Sequence, residues 1–183
     1  MNSTLIPLAP GCEELEAVTV IDLLRRADFD VVTAGLVDGP IIASRRTVLV
    51  PDVLLVDMAD QLFDLIALPG GLPGAAHLAE SKVLGRMLVE QHERGGWIGA
   101  ICAAPRVLAT HGLLAGRRVT SFPGALDEFD GGSFQRVDEP VVIDGHIVTS
   151  RGPGTAMDFA LTLIECCAGR ERRAAVEGPL QRP

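Results

Sequence analysis

The sequence predicts an α/β domain built on a mainly parallel sheet. Three observations carry that reading. Short apolar runs alternate with amphipathic stretches of helical spacing, glycine and proline mark the junctions, and the 183 residues suit one domain better than two. With 48% hydrophobic and 22% charged residues, the chain has the composition of a globular protein with a core.

The first apolar run, Thr4–Ala9, reads as a strand. The segment after it places Ala17, Val20, Ile21 and Leu24 on one helical face. Asp30–Leu36 is rich in β-branched residues, and Ile41–Ala43 and Thr47–Val50 flank Ser44-Arg45-Arg46 as a small hairpin. Leu65–Leu68 is a buried strand ending at Pro69-Gly70-Gly71. Ser81–Arg94 follows as a helix with Leu84, Met87, Leu88 and Gln91 on one face. The uncharged run Trp97–Ile101 passes through Cys102 into Ala103-Ala104-Pro105, where proline suits the first helical turn. Arg117–Ser121 and Val141–Thr149 add strands, the latter folded at Asp144-Gly145. A last helix carries Met157, Ala160, Leu161, Ile164, Cys167 and Ala168, and Gly169–Pro183 is expected to be a solvated final turn and tail.

Charge and composition exclude several classes. Sixteen basic against 24 acidic residues give a net charge of −8, which opposes general nucleic-acid binding. The stretch Leu65–Ala79 is broken by Pro69, Gly70, Gly71, Pro73 and Gly74, so it is not a membrane span. No secretory signal is visible at the N-terminus, and a cytoplasmic location is expected. Cys12, Cys102, Cys166 and Cys167 have neither zinc spacing nor the pattern of a secreted framework, and reduced thiols are expected. His77, His92, His111 and His146 share no ligand spacing, so no metal is expected.

Chemistry concentrates at Cys102. A thiol at a tight strand-to-helix turn stands above the sheet near a helix N-terminus, whose partial positive charge favours thiolate; the competing reading is an inert core cysteine. A second acidic segment, Glu13-Glu14-Leu15-Glu16, opens the first helix. Glu13 and Glu14 suit the helix start, whereas Glu16 adjoins the apolar face and is the best candidate for a buried, proton-holding carboxyl. Cys12 precedes that helix and is either packing or a thiol able to resolve an oxidised Cys102.

Four segments taken together resemble a known family: 8–18 (Leu8 to Val18), Leu68-Pro69-Gly70-Gly71, Ala100-Ile101-Cys102-Ala103-Ala104-Pro105 and Thr149-Ser150-Arg151-Gly152-Pro153-Gly154-Thr155. They are similar to the ThiJ/PfpI superfamily, and within it to the Parkinsonism-associated deglycase family and its bacterial YajL-type members. The resemblance implies a flavodoxin-like three-layer αβα sandwich, a homodimer, and a reactive Cys102 hydrogen-bonded by Glu16. It implies backbone N–H groups of Gly71 and Ala103 facing the sulfur, and an anion-binding role for Arg45 and Arg25. The implied activity is a cofactor-independent glyoxalase or deglycase acting on methylglyoxal, glyoxal and early glycation adducts. Two other roles are implied: a redox-responsive stress protein or chaperone that uses the same residues, with Cys102 oxidised to sulfinate, and a role in thiamine precursor metabolism, which no residue here specifically supports. Ser121-Phe122-Pro123 stands where some relatives carry a histidine, and Ala103 follows Cys102 where peptidase-like members carry one, so a Cys–His dyad is not expected.

Overall fold

The computed structural model describes residues 2–129 and 133–182. Its main sheet is assembled from β1 (Ser3–Leu8), β2 (Asp30–Gly35), β5 (Val53–Leu54), β6 (Leu65–Leu68), β7 (Trp97–Ile101), β10 (Val141–Asp144) and β11 (Ile147–Ser150). The strand order is β10-β11-β7-β6-β1-β2-β5, parallel throughout except for the antiparallel edge pair β10–β11. Two short pairs stand apart: the hairpin β3 (Ile41–Ile42) with β4 (Val48–Leu49), and the parallel pair β8 (Arg118–Val119) with β9 (Gln135–Arg136).

Helices cover both faces, which is why the central strands read as nearly continuous apolar runs. On one face α1 (Glu14–Arg26) packs on α5 (Ala156–Glu177), with Ala17, Val20, Leu23 and Leu24 meeting Phe159, Ala160, Leu163 and Ile164 in one buried cluster. The other face carries α2 (Gly74–Glu80), α3 (Lys82–Glu93) and α4 (Pro105–Thr110), burying Leu78, Leu84, Leu88, Val107 and Leu108. This is the expected α/β sandwich of three layers. Ser81 caps α3, its hydroxyl accepting the Leu84 amide at 3.3 Å.

Four elements differ from the sequence expectation. The stretch 74–80, read as loop because of its glycines and prolines, forms α2 once Pro73 has ended the turn. Strands β5 and β9 are two residues long, too short for periodicity to register. The expected tail is also structured: α5 kinks at Gly169 (φ 85°) and continues to Glu177. That last part is held by Val176, only 4% exposed, and by ion pairs of Arg173 with Glu165 (2.7 Å) and Arg182 with Asp158 (2.6 Å). No helix among the described residues is long and apolar enough to cross a membrane.

Candidate active site

Parallel sheets open their ligand crevice where neighbouring chains leave in opposite directions beyond the strands' carboxyl ends. Here β1 lies between β2 and β6, and the segments after β1, β6 and β7 converge. They bring together Glu16, Gly70-Gly71 and Cys102.

Cys102 is the first residue past β7. Its amide donates to Ser150 O at 2.8 Å, extending the β7–β11 ladder, and its carbonyl accepts the Phe122 amide at 2.8 Å. Held at both ends, it adopts φ 62°, a left-handed conformation that costs a non-glycine residue about 1–2 kcal/mol. The turn aims the side chain at the Gly70-Gly71 backbone, and the residue is 7% exposed. The amides of Gly71 and Ala103 both hydrogen-bond toward the sulfur.

Glu16 is fully buried in the first turn of α1. Its Oε2 accepts the Gly70 amide at 2.9 Å, and its carboxyl reaches the Cys102 thiol. Oε1 has no further partner among the described residues. Burial pushes Glu16 up to about 7; the Gly70 and Cys102 hydrogen bonds pull the other way, and the charge of Glu13 adds to the rise. Cys102 is pushed up to about 12, first by burial and then by the Glu16 carboxylate, against the lowering by the two amides.

The helix N-terminus expected to favour thiolate at Cys102 is opposed by burial and by the Glu16 carboxyl, both of which push the thiol up. The physical reason is local. Helix α4 begins three residues later and is short, whereas the carboxyl is in direct contact and water is largely excluded.

Gly70 is a site residue that the sequence reading named only as part of a motif. A Cβ there would stand 2.6 Å from Cys102 Cβ and 2.8 Å from Glu16 Oε2. At Gly71, expected as a site residue through its amide, φ is 88° and a Cβ would fall 2.5 Å from the Glu13 amide nitrogen. Two consecutive glycines after a buried strand were the visible signal.

Glu13 and Glu14 serve structure, as their place at the helix start suggests. Ser44 Oγ lies 2.7 Å from Glu13 and 2.9 Å from Glu14, and Glu14 also accepts the Arg45 amide at 2.9 Å. Desolvation opposes ionisation of Glu14, but its own amide, those of Arg45 and Thr47 and the Ser44 hydroxyl outweigh it and hold the carboxyl at about 2. This clamp ties the β3–β4 hairpin to α1. Arg45 thus contributes its backbone; among the described residues its guanidinium hydrogen-bonds only Ser44 O, at 3.5 Å. Arg25 pairs with Asp52 and Val31 O, both at 3.3 Å. Cys12 is buried, and burial followed by the Glu14 charge pushes its thiol up to about 11; Cys102 is not among the groups that perturb it. Among the described residues no group of three or more His, Cys, Asp or Glu could hold a metal ion.

The family model described as DJ-1/PfpI matches residues 2–166. Protein dj-1beta of Drosophila melanogaster is 44% identical over 172 residues, covering 93% of this chain and 92% of the relative. The glutathione-independent glyoxalase DJR-1.2 of Caenorhabditis elegans is 41% identical over 180 residues, covering 98% and 96%. The crystal structure of Drosophila DJ-1beta superposes with a TM-score of 0.95 at 42% identity, covering 100% of this chain and 98% of that one. That of an oxidized DJ-1 from Toxoplasma gondii superposes with a TM-score of 0.93 at 38% identity, covering 98% of each. With a family match over nearly the whole chain and relatives this similar in sequence and fold, the chain belongs to the DJ-1/PfpI family, of flavodoxin-like α/β architecture.

Proposed function

We propose that the protein is a cofactor-independent glyoxalase that converts methylglyoxal to lactate and glyoxal to glycolate, with early glycation adducts as further substrates. The observation that carries this reading is the convergence of Cys102, the fully buried Glu16 and the Gly70-Gly71 backbone, where the Gly70 amide holds Glu16 Oε2 at 2.9 Å and burial pushes both the carboxyl and the thiol up. A relative named as a glutathione-independent glyoxalase supports it.

In this reading the Glu16 carboxylate takes the thiol proton as Cys102 Sγ bonds to the aldehyde carbon and the C=O π electrons move to oxygen. The amides of Gly71 and Ala103 stabilise that oxyanion, which Glu16 then protonates, giving a hemithioacetal and restoring the carboxylate. Glu16 next removes the proton from the former aldehyde carbon and delivers one to the neighbouring carbon, while the hemithioacetal O–H proton passes to the neighbouring oxygen, so the former aldehyde carbon becomes a thioester and the ketone a secondary alcohol. Water cleaves the S–C bond, releasing lactate and the thiol. The sum is methylglyoxal plus water to lactate, with no electrons entering or leaving.

The protein acts as a homodimer in this proposal. Leu15 and Val18 on α1 and Ile42 and Val48 on the clamped hairpin are apolar and about half exposed or more, a surface that a second copy would cover. Arg25 and Arg45 lie on the same α1–hairpin side and would supply its basic part, where an anion could be held.

The test is lactate formation from methylglyoxal without glutathione, under reducing conditions, by wild type, Cys102→Ser and Glu16→Gln. Repeated turnover by wild type and at least a 100-fold loss in both folded variants is the expected result. A single equivalent consumed by wild type would instead favour the second reading, a redox-responsive protein oxidised at Cys102; one similar structure is of an oxidized DJ-1 from Toxoplasma gondii.

A further inference from the structure

The Thr149-Ser150-Arg151-Gly152-Pro153-Gly154-Thr155 motif contributes a carbonyl to the elbow, but the chemistry above leaves Arg151 without a role. Arg151 lines a cavity of about 290 Å³ together with Thr120, Ser121, Phe122, Pro123, Arg136 and Asp138. One wall of that cavity is tied to the backbone of the nucleophile: the Phe122 amide donates to the Cys102 carbonyl at 2.8 Å, and a Cβ on Gly152, next to Arg151, would stand 3.4 Å from the Phe122 ring.

The lining has two characters. Phe122, 48% exposed, and Pro123 offer an apolar wall. Beside it stand the guanidiniums of Arg136 and Arg151, each facing a carboxylate. Arg136 is engaged by Asp127 at 2.8 Å and by Leu126 O. Arg151 is paired with Asp138 at 2.8 Å, but the carboxylate is 87% exposed. An ion pair so open to water contributes little, and an incoming oxyanion can take the place of Asp138 at the guanidinium with little loss.

We propose that this cavity is a specificity pocket for substrates in which the reacting 2-oxoaldehyde carries a short aliphatic arm ending in a carboxylate or phosphate. The arm lies on Phe122 and Pro123, and its anionic end binds Arg151 in exchange for Asp138. The reaction at Cys102 rests on the glyoxalase reading, whereas the pocket is tested by binding alone.

Levulinate, a keto acid with no aldehyde, and 2-hexanone, its uncharged counterpart, are compared as protectants of Cys102 against iodoacetamide, read by peptide mass at Cys102. The expected result is protection by levulinate at a concentration at least tenfold lower than by 2-hexanone. Arg151→Met should abolish the difference, Arg151→Lys should restore part of it, and Asp138→Asn should widen it by removing the competitor. Equal protection by the two compounds, or a difference that survives in folded Arg151→Met, overturns the pocket. Turnover separates the two ideas, using 4,5-dioxopentanoate, which would add water to give 2-hydroxyglutarate, and uncharged 2-oxopentanal. Levulinate protection without turnover of any dicarbonyl sinks the glyoxalase reading and leaves the pocket. Methylglyoxal turnover with equal kcat/KM for the charged and uncharged C5 compounds, and equal protection, removes the pocket and leaves the enzyme. Inorganic phosphate and levulinate, compared as protectants, distinguish the two kinds of anionic end.

Discussion

Gly70 and Cys102 approach so closely that a Cβ on the glycine would stand 2.6 Å from the Cβ of the cysteine. That approach lets the Gly70 amide hold Glu16 Oε2 while the carboxyl also reaches the thiol. Gly70→Ala must push one of the three groups away. The expected outcome is a loss of about 1–3 kcal/mol in urea unfolding, typical of an overpacked site, and at least a 100-fold fall in lactate formation. Wild-type turnover in this variant would show that the Glu16–Cys102 contact is dispensable.

The proton on Cys102 predicts the form of the pH profile. With Glu16 near 7 and the thiol near 12, kcat/KM for methylglyoxal should rise as Glu16 ionises and level off above about pH 8. A free thiol acting as its own thiolate would instead produce a rise centred near the ordinary ~8.5. Stopped-flow measurements from pH 5 to 9.5 on the wild type decide between these profiles.

Glu16 also makes stability depend on pH, and in the direction opposite to a salt-bridged carboxylate. Its folded pKa of about 7 lies above the usual 4.5, so the unfolded chain releases the proton first as pH rises. The cost begins near pH 4.5 and is complete above about 7, where it reaches about 3 kcal/mol. Glu16→Gln keeps an acceptor for the Gly70 amide without the charge. It should therefore be more stable than wild type at pH 8 and not at pH 4, as measured by chemical denaturation at both.

The end of α5 beyond the Gly169 kink is docked by one buried side chain. Val176→Ala removes two buried carbons and is expected to cost about 1.5 kcal/mol, whereas Arg170→Ala, at a side chain 92% exposed, should cost less than about 0.5 kcal/mol. Equal effects of the two in thermal unfolding would mean that the segment is not anchored through Val176.

Some features were legible because they rest on spacing. The apolar face of α1, the buried run Leu65–Leu68 and the hairpin turn at Asp144-Gly145 each obey a local rule, since one side chain in two or in 3.6 must face a core. The alternation of such elements was enough for a parallel α/β sheet, and the Gly-Gly and Cys-Ala-Ala-Pro junctions marked where it would carry chemistry. Helix α2 and the continuation of α5 past Gly169 were not legible. Glycine and proline signal a break, and only packing of Ala75, Leu78 and Val176 against the rest of the chain tells whether helix resumes beyond it.

By itself the sequence determined the layering and nominated Cys102 and Glu16, because patterning and junction residues are local properties. The protonation state of that pair was decided by the tertiary structure alone. A helix dipole can be inferred from neighbours in the chain, but the exclusion of water and the meeting of a carboxyl from α1 with a thiol after β7 arise from segments 86 residues apart, and these two effects outweigh the dipole at the sulfur.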